Sequence, residues 1–368
     1  MTAGIECMAM RRFGSFLRRS WPIAGLTIII AAAPLTSLAD AALAPPSLTI
    51  FGPWATTGSQ VKFVATVRKQ AALWTEKFGS NMPKRIALAD CGGLGELDQL
   101  AVGPKGSVAC LDAAPGIDVV YYSLGFVSST GAVKHVASAG GGTGPVDSIP
   151  FVFGDSTFLG YLHITADGVV QLMRITSSGD AQHVADLAGI SNPLTVAIDS
   201  GRIVISDLAP SLGVSGHGYT NLGHVYTVAG RHISTFDLAK IAAGAPIGTG
   251  PLSVAIRKNS IVVLNGKRLS VYTLHGQRVH SYPINPRGAR WPATYYGYVV
   301  YIRAGKAVHT LKLSSGKDRI VARAGKGWFD NRLSLQAPGA VAPLTLPGDT
   351  RHTKLVFITM SKIRAAVG

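Results

Sequence analysis

Short turns that contain glycine recur along this chain at nearly even spacing. The clearest unit is SIVVLNGKRLSVYTLHGQRVHSYPI, in which three β-forming runs are separated by Asn265-Gly266 and His275-Gly276. Asn-Gly between two such runs predicts a hairpin, because its tight turn needs positive φ angles. The second turn of each unit lies near Asn81, Gly131, Gly179, Gly230, Gly276 and Gly316, in steps of about 50, 48, 51, 46 and 40 residues. A period of roughly 40–50 residues with several strands per unit predicts a β-propeller.

The strands inside the units extend this prediction. Residues 261–264 and 299–302 are almost continuously apolar, as expected for middle strands that are covered on both faces by neighbouring blades. We predict an all-β fold of four-stranded antiparallel blades, with seven blades favoured and six as the alternative. The seventh unit reaches the chain end at its outer strand, so residues 47–51 are predicted to pair with the last blade and close the ring. Residues 42–368 are predicted to form a single domain, with residues 235–243 as the best candidate for a short helix.

The first 41 residues have the composition of a secretory signal peptide. Four arginines (Arg11, Arg12, Arg18 and Arg19) precede an apolar run from residue 21 to about residue 38, and Ala39-Asp40-Ala41 is an A-x-A cleavage site. The apolar run is also close to the length of a membrane-spanning helix, so an uncleaved membrane tether is the alternative. Either way, the sequence predicts a chain that is secreted or held in the cell envelope.

The chain is strongly basic, with a formal charge of +16 at pH 7. Loss of residues 1–41 would remove four arginines and two acids and leave +14. This excess suits a polyanionic partner, although solubility alone would also explain it, since the Lys and Arg are scattered and form no long run. Nucleic acid is a poor partner for an exported chain. We therefore expect a monomer that engages a protein or an anionic cell-envelope polymer.

Two cysteines, Cys91 and Cys110, remain after residues 1–41 are removed. An even number of cysteines in an exported protein predicts a disulfide between them. The bond would close a loop of about 20 residues and stabilise the fold by about 3 kcal/mol through the lost entropy of the unfolded chain. No CxxC spacing is present, so a structural role is favoured over a redox or zinc site.

Two segments supply candidate binding residues. The first, PSLGVSGHGYTNLGHVYTV, is the longest connection between strands within a unit and contains His217, Tyr219 and His224. A glycine-rich loop with these side chains can bind a metal or act as an acid–base, whereas the alternative is a solvated His217 and a His224 that begins a strand. The second, RWPATYYGYVVYIR, contains Trp291 and Tyr295, which could stack on sugars or peptides at a propeller mouth or simply pack between blades.

Units such as ITADGVVQLMRITSSGDAQHV and YIRAGKAVHTLKLSSGKDRIV resemble those of exported bacterial propellers of WD40-like, NHL-like or TolB-like type. The resemblance covers residues 47–362 and implies an architecture, since the repeated Gly-His and Trp-Asp signature of true WD40 blades is missing. A further resemblance, to propeller lyases that abstract a proton with His residues and a divalent metal at the central mouth, implies His163 and His217 as the catalytic candidates to test.

The function classes follow from what the motifs contain. Neither a G-x-S-x-G elbow nor an H-E-x-x-H motif is present. The sequence therefore favours a noncatalytic, extracytoplasmic binding or scaffold propeller that engages its partner at one face and needs no cofactor. A metal-assisted lyase or hydrolase, which would use a divalent metal, is the alternative. A structural protein of the envelope that is held by its charge is a third class.

Overall fold

The structure is a computed structural model. It describes residues 49–67, 70–80, 83–88, 97–116, 120–140, 146–210, 219–241, 253–264, 268–284, 289–329, 333–347 and 349–368. These residues form 28 strands in seven blades, and the first strands of successive blades contact each other around a ring. The predicted all-β propeller and the favoured count of seven blades are confirmed.

The blades follow one another along the chain. Their strands are, in the first blade, β1 (Thr49–Thr57), β2 (Gln60–Val67), β3 (Gln70–Lys77) and β4 (Lys84–Leu88); in the second, β5 (Leu97–Val102), β6 (Val108–Pro115), β7 (Val120–Val127) and β8 (Val133–Ala139); in the third, β9 (Ser148–Gly154), β10 (Leu159–Ile164), β11 (Val170–Ile175) and β12 (Ala181–Asp186); in the fourth, β13 (Pro193–Asp199), β14 (Arg202–Pro210), β15 (Tyr219–Thr227) and β16 (His232–Ile241); in the fifth, β17 (Ser253–Arg257), β18 (Ser260–Leu264), β19 (Arg268–Thr273) and β20 (Arg278–Pro283); in the sixth, β21 (Ala289–Tyr295), β22 (Tyr298–Arg303), β23 (Ala307–Lys312) and β24 (Lys317–Arg323); and in the seventh, β25 (Trp328–Phe329), β26 (Ser334–Gln336), β27 (Gly339–Leu346) and β28 (Asp349–Thr359).

Each of the first six blades is an antiparallel meander, so its turns alternate between two faces of the ring. In the seventh blade β26, β27 and β28 form the meander, with β26 as its first strand, and β25 pairs with the other end of β27. The turns from first to second strand and from third to fourth strand lie on one face, which we call the turn side. The turns from second to third strand and the connections between blades lie on the other face, the loop side. Backbone hydrogen bonds join turns of the same face: Val228 N donates to Gly201 O over 3.1 Å on the turn side, and Leu187 N donates to Val170 O over 2.7 Å on the loop side.

The core lies between adjacent blades. The second strands of the fifth and sixth blades, β18 and β22, are buried along almost their whole length, as their continuous apolar sequence predicts. Val262 and Leu269 of the fifth blade pack with Val299 and Leu311 of the sixth, and all four are almost completely buried. Burial of each such aliphatic side chain stabilises the fold by about 1.5–3 kcal/mol, so contacts between blades hold the ring together.

The periodic glycines lie in the turns between third and fourth strands. Gly131, Gly179, Gly230, Gly276 and Gly316 all have positive φ, while the turn at Asn81 lies outside the described residues. Gly276 has a φ of 77°, and a Cβ built on it would lie 2.5 Å from the Cβ of Phe236 in the preceding blade. Glycine is therefore required here twice, by the turn and by the close approach of two blades.

The first and last blades share one sheet. β1 pairs with β2 along most of its length, and Ile50 also pairs with Thr353 of β28. The predicted pairing of the N-terminal strand with the last blade is thus confirmed. In that blade β25 and β26 pair with different stretches of β27. A helix, α1 (Met360–Val367), follows β28 on the turn side and buries Ile363 among residues of the sixth and seventh blades.

The short helix predicted over residues 235–243 is wrong for its described part. Residues 235–241 belong to β16, which pairs with β15 along its whole length. An isolated helix of nine residues is marginal in water, so the ladder hydrogen bonds to β15 decide the local structure. The helix that does form, α1, is capped by Thr359, whose Oγ1 accepts a hydrogen bond from Lys362 N over 3.3 Å.

Candidate functional site

A cavity of about 230 Å³ lies in the central channel. Its walls are the first strands of the fourth to seventh blades, through residues 195–199, 254–257, 292–294 and 333–336. Thr56 of β1 reaches the same region, where its Oγ1 hydrogen-bonds Ser334 Oγ. Small and β-branched side chains line most of the wall, which leaves room for a small group or the end of a side chain.

A charged and aromatic cluster lies at the turn-side rim of this cavity. Asp199, Arg257 and Tyr295 are each the last residue of a first strand, so the ring places them side by side. Arg257 Nη1 donates to Asp199 Oδ1 over 2.5 Å. The Arg257 guanidinium carbon also lies 4.7 Å from the centroid of the Tyr295 ring and 5.2 Å from that of Tyr296. The cation is thus held between a carboxylate and two aromatic rings.

Turn chemistry fixes this cluster. The residue after each of the three strands, Ser200, Lys258 or Tyr296, has a positive φ of 50°, 51° or 40°. Asp199 ties two of these turns together, because its Oδ2 accepts from Ser200 Oγ over 2.7 Å and from Lys258 N over 2.8 Å. The rim is therefore built from side chains that the backbone holds in place.

Tyr296 is unusual for its backbone. A left-handed conformation costs a bulky residue about 1–2 kcal/mol, and glycine or asparagine would avoid that cost. Its side chain is 53% exposed, so burial does not repay the strain. Lys258 Nζ lies 4.9 Å from its ring centroid. The exposed ring of Tyr296 beside two cations is therefore a candidate for contact with a ligand.

The electrostatics of the rim follow from these contacts. Hydrogen bonding by Lys258, and then by Arg257, lowers the pKa of the Tyr296 phenol. Burial alone would lower the pKa of Arg257, but the charge and hydrogen bond of Asp199 outweigh it and raise that pKa. The cluster can therefore bind an anion or a hydroxylated ring, with Arg257 and Lys258 as cations and Tyr296 as a stacking surface.

Of the two predicted catalytic histidines, the structure describes only His163, which lies away from this rim. His163 lies at the loop-side end of β10, where its Nε2 is 3.2 Å from Asp147 Oδ2 and its Nδ1 is 3.1 Å from Gln171 Oε1. His217 lies outside the described residues. Within the described part of the chain, no group of three or more His, Cys, Asp or Glu is arranged to hold a metal ion.

His224 lies in the interior of the fourth blade, where its side chain is only 3% exposed. Its Nδ1 is 3.0 Å from Thr235 Oγ1, and its Nε2 is 3.7 Å from Oδ2 of the fully buried Asp207. Asp207 also accepts from the backbone N of Asn192 over 2.5 Å, in the connection between two blades. These contacts hold the connection between the third and fourth blades on the loop side. The ligand contact predicted for His224 therefore stays a prediction, and the buried position of its side chain does not support it.

Asp207 is charged despite its burial. Burial alone would raise the pKa of its carboxyl, but His224 and the amides of Asn192 and Ser191 outweigh that effect and lower it. Burial raises the pKa of the Tyr226 phenol to about 12, and the negative charge of Asp207 contributes to this rise. Asp207 is thus a structural anion whose partners are all supplied by the fold.

The remaining predicted binding and disulfide residues are only partly covered by the description. Tyr295 is at the rim, while Tyr219 begins β15 and Trp291 lies in β21, each with a side chain outside the description. Cys110 is fully buried in β6 and disulfide-bonded, but Cys91 lies outside the described residues, so their pairing stays a prediction.

Sequence reasoning missed Asp199, Arg257, Lys258 and Tyr296. Arg257 and Asp199 are 58 residues apart in the chain, and only the ring brings them together. A signal was nevertheless present, because the first turns of three consecutive units read DSGR, RKNS and YYGY at equivalent positions. Alignment of the units on these first turns would have placed the residues in one ring.

No helix among the described residues is both long and apolar enough to cross a membrane.

No protein-family model matches the chain, and no curated protein matches it. Solved structures do match. The β-propeller domain of the trilobed protease from Pyrococcus furiosus, which has an open velcro topology, is 11% identical with a TM-score of 0.56 over 84% of this chain and 93% of that chain. Sqt1 from Saccharomyces cerevisiae is 11% identical with a TM-score of 0.50, over 85% and 86%. An oligogalacturonate lyase in complex with manganese is 10% identical with a TM-score of 0.50, over 86% and 92%.

At these identities the likeness shows the fold alone. The matched proteins include a lyase and the propeller domain of a protease. Because one fold hosts many unrelated functions, the function of this chain has to be argued from its own site.

Proposed function

We propose that this protein is a noncatalytic binding or scaffold propeller that engages its partner at the turn-side mouth. The observation that carries the proposal is Arg257, fixed between Asp199 and the rings of Tyr295 and Tyr296 at the rim of the central cavity. A pre-positioned cation beside exposed aromatic surface gives affinity and orientation at little entropic cost, since the side chains are already ordered.

The chemistry of the rim favours binding over catalysis. The residues of the cluster are a guanidinium, an ammonium, a carboxylate already paired with Arg257, and two phenols. Catalysis of acyl or proton transfer needs a nucleophile or base held within hydrogen-bond reach of the reacting atom. Within the cluster, the one carboxylate is engaged by three donors, which makes it an anchor for the rim.

The partner class follows from the sequence as well as the site. The signal peptide or membrane tether that the sequence predicts over residues 1–41 supports a location outside the cytoplasm, where the protein would meet another protein or an anionic polymer of the cell envelope. The cations of the rim suit either an acidic protein surface or such a polymer.

Capture by matched tyrosine variants tests the proposal. Tyr296→Ser removes an exposed ring from the rim, whereas Tyr121→Ser removes a ring that is 45% exposed at the loop-side end of β7. Immobilised protein would be incubated with solubilised envelope from the producing cells, and the captured protein and carbohydrate would be quantified. We expect Tyr296→Ser to lower capture at least several-fold and Tyr121→Ser to leave it unchanged. Equal capture by both variants and the parent would overturn the turn-side mouth as the binding surface.

A metal-assisted lyase or hydrolase is the second candidate, and the His163–Asp147 pair is the observation that favours it. Metal analysis of the purified chain separates the two candidates. A binding propeller is expected to hold much less than one metal ion per chain. One tightly bound divalent ion per chain that is lost in His163→Ala would instead support the enzyme.

A further inference from the structure

The charged side chains that the structure describes are divided unequally between the two faces of the ring. On the loop side, the charged side chains that the structure describes balance, with basic Arg268, Arg303, Lys306, Arg323, Lys326 and Lys354 against acidic Asp112, Asp147, Asp167, Asp186, Asp207 and Asp237. On the turn side, basic residues greatly outnumber acidic ones. The basic set is Lys62, Lys77, Lys84, Arg85, Lys105, Lys134, Arg174, Arg202, Arg231, Arg257, Lys258, Arg278, Lys312, Lys317, Arg319, Lys362 and Arg364, and the acidic set is Glu76, Asp155, Asp180, Asp199 and Asp318.

The turn-side acids are already engaged within the fold. Asp199 pairs with Arg257, and Asp180 pairs with Lys134 over 2.6 Å. Asp318 accepts from Tyr301 OH over 2.5 Å and lies 3.0 Å from His309 Nδ1. Asp155 accepts from the backbone of its own turn, at Thr157 and Phe158. Apart from Lys134 and Arg257, the basic residues of this face form no ion pair with a described acid.

These cations are available to a ligand. All of the turn-side basic residues except Lys62 are exposed or half-buried. Lys62 is buried, donates to Gly106 O over 2.6 Å, and has a pKa lowered by that burial. The others therefore create a positive field over one face, with the cavity mouth and Tyr296 at its centre.

We propose that the turn side binds a linear anionic polysaccharide that runs from the central mouth across the ring. This inference rests on the proposed function and names its partner. Carboxylate or phosphate groups of the polymer would meet Lys and Arg, and a sugar ring would stack on Tyr296. A flat lipid surface fits less well because Asp199 and Arg257 line a cavity at the centre of this face. The exposed apolar residues of its outer strands, such as Val133 and Val279, also lie on separate blades and form no continuous patch.

Charge reversal on opposite faces tests this proposal with alginate, a polymer of uronic acids. Arg231→Glu with Arg278→Glu reverses two exposed charges beside equivalent turns of the fourth and fifth blades. Arg323→Glu with Lys326→Glu reverses two exposed charges on the loop side and changes the net charge equally. We expect the purified full chain to bind alginate but not neutral dextran, with affinity that falls about tenfold or more as salt rises from roughly 50 to 200 mM.

The turn-side double variant is expected to weaken alginate binding about tenfold, and the loop-side double variant to stay within about twofold, since exposed charges act over roughly a Debye length. Both variants should keep the thermal midpoint of the parent, which excludes misfolding as the cause. Equal weakening by the two variants would overturn the assignment to one face. If duplex DNA or vesicles with anionic phospholipid bind more tightly than alginate at the same salt concentration, the proposal of a polysaccharide ligand is overturned.

The outcomes also separate this inference from the proposed function. If Tyr296→Ser lowers envelope capture but alginate does not bind, the turn-side mouth is supported as the binding surface and the polysaccharide is overturned as its ligand. If alginate binding depends on Arg231 and Arg278 but not on Tyr296, polysaccharide binding by the basic turn side is supported and the central mouth is overturned as part of the binding surface.

Discussion

The two faces of this propeller use their carboxylates differently. On the loop side, Asp207 is fully buried and accepts hydrogen bonds from a connection between two blades. On the turn side, Asp199 is partly exposed and holds Arg257 and Lys258 at the rim of a cavity. The loop-side acid stabilises the ring, whereas the turn-side acid orders cations that remain open to a ligand. The comparison teaches that carboxylates at the two ends of the same blades can have different roles, one buried within the fold and one ordering cations at a cavity rim.

The largest expected effect is the loss of the loop-side acid. Asp207→Ala leaves the amides of Asn192 and Ser191 without their acceptor and removes the carboxylate that lies 3.7 Å from Nε2 of the buried His224. We expect the free energy of unfolding to fall by about 3 kcal/mol, because removal of a buried acceptor leaves its buried donors without a hydrogen bond. Chemical denaturation followed by circular dichroism measures this loss.

Asp199→Ala is the matched change on the turn side. It should cost at most about 1 kcal/mol, since a partly exposed ion pair contributes little to stability. It should nevertheless reduce envelope capture. A stability loss for Asp199→Ala as large as that for Asp207→Ala would break the contrast between the faces.

Two glycines give the next comparison. Gly276→Ala on the turn side adds a Cβ that lies 2.5 Å from Phe236 Cβ at a φ of 77°, whereas Gly168→Ala on the loop side meets nothing within 4 Å at a φ of 79°. We expect losses of about 3 kcal/mol and about 1 kcal/mol, because the first combines strain with a clash and the second is strain alone. Thermal unfolding of both variants checks the difference, and equal losses would show that the blades relax around the new methyl group.

Acid sensitivity is expected to come from Asp207 on the loop side and from Asp318 on the turn side. For both carboxyls burial alone would raise the pKa, but hydrogen bonding lowers it below the ordinary value of 3.8. A lowered native pKa stabilises the fold above about pH 4, and the contribution disappears as the pH falls through the native pKa. Stability measured from pH 6 downwards should therefore decline less in Asp207→Asn and in Asp318→Asn than in the parent. A variant that loses stability with falling pH as steeply as the parent would show that its face carries no acid-sensitive contact at that carboxylate.

The smallest effect concerns two tyrosines. Lys258 and Arg257 lower the pKa of Tyr296 below the usual 10, whereas burial raises the pKa of Tyr226 to about 12. In an alkaline titration followed by ultraviolet absorbance, Tyr296→Phe should remove a phenol that ionises early and Tyr226→Phe one that ionises late. Added salt should move the Tyr296 transition upwards because the rim is exposed. A Tyr296 transition that ignores salt would contradict the exposed position of its cations.

The repeat made the architecture predictable. Gly131, Gly179, Gly230, Gly276 and Gly316 mark the same turn in successive blades, and their spacing predicted a propeller in which seven blades were favoured over six. The physical reason is that each of these positions needs both a positive φ and room for the preceding blade, so few other residues fit.

The site was less predictable because it depends on the curvature of the ring. Asp199, Arg257 and Tyr295 come from three different units, and no local pattern shows that they meet. The basic residues look scattered in sequence, since each blade contributes only a few, and they gather on one face only after the strands are paired. His224 was a binding candidate because of its glycine-rich loop, and the structure adds that pairing of β15 with β14 and β16 buries its side chain.

The two ends of the described chain emerge from opposite poles of the ring. Thr49 begins β1 on the loop side, whereas Gly368 ends α1 on the turn side, where its carbonyl oxygen accepts from Lys317 Nζ over 2.7 Å. A purification handle fused to Gly368 would therefore lie beside the basic residues of the turn side, whereas Thr49 lies on the opposite face.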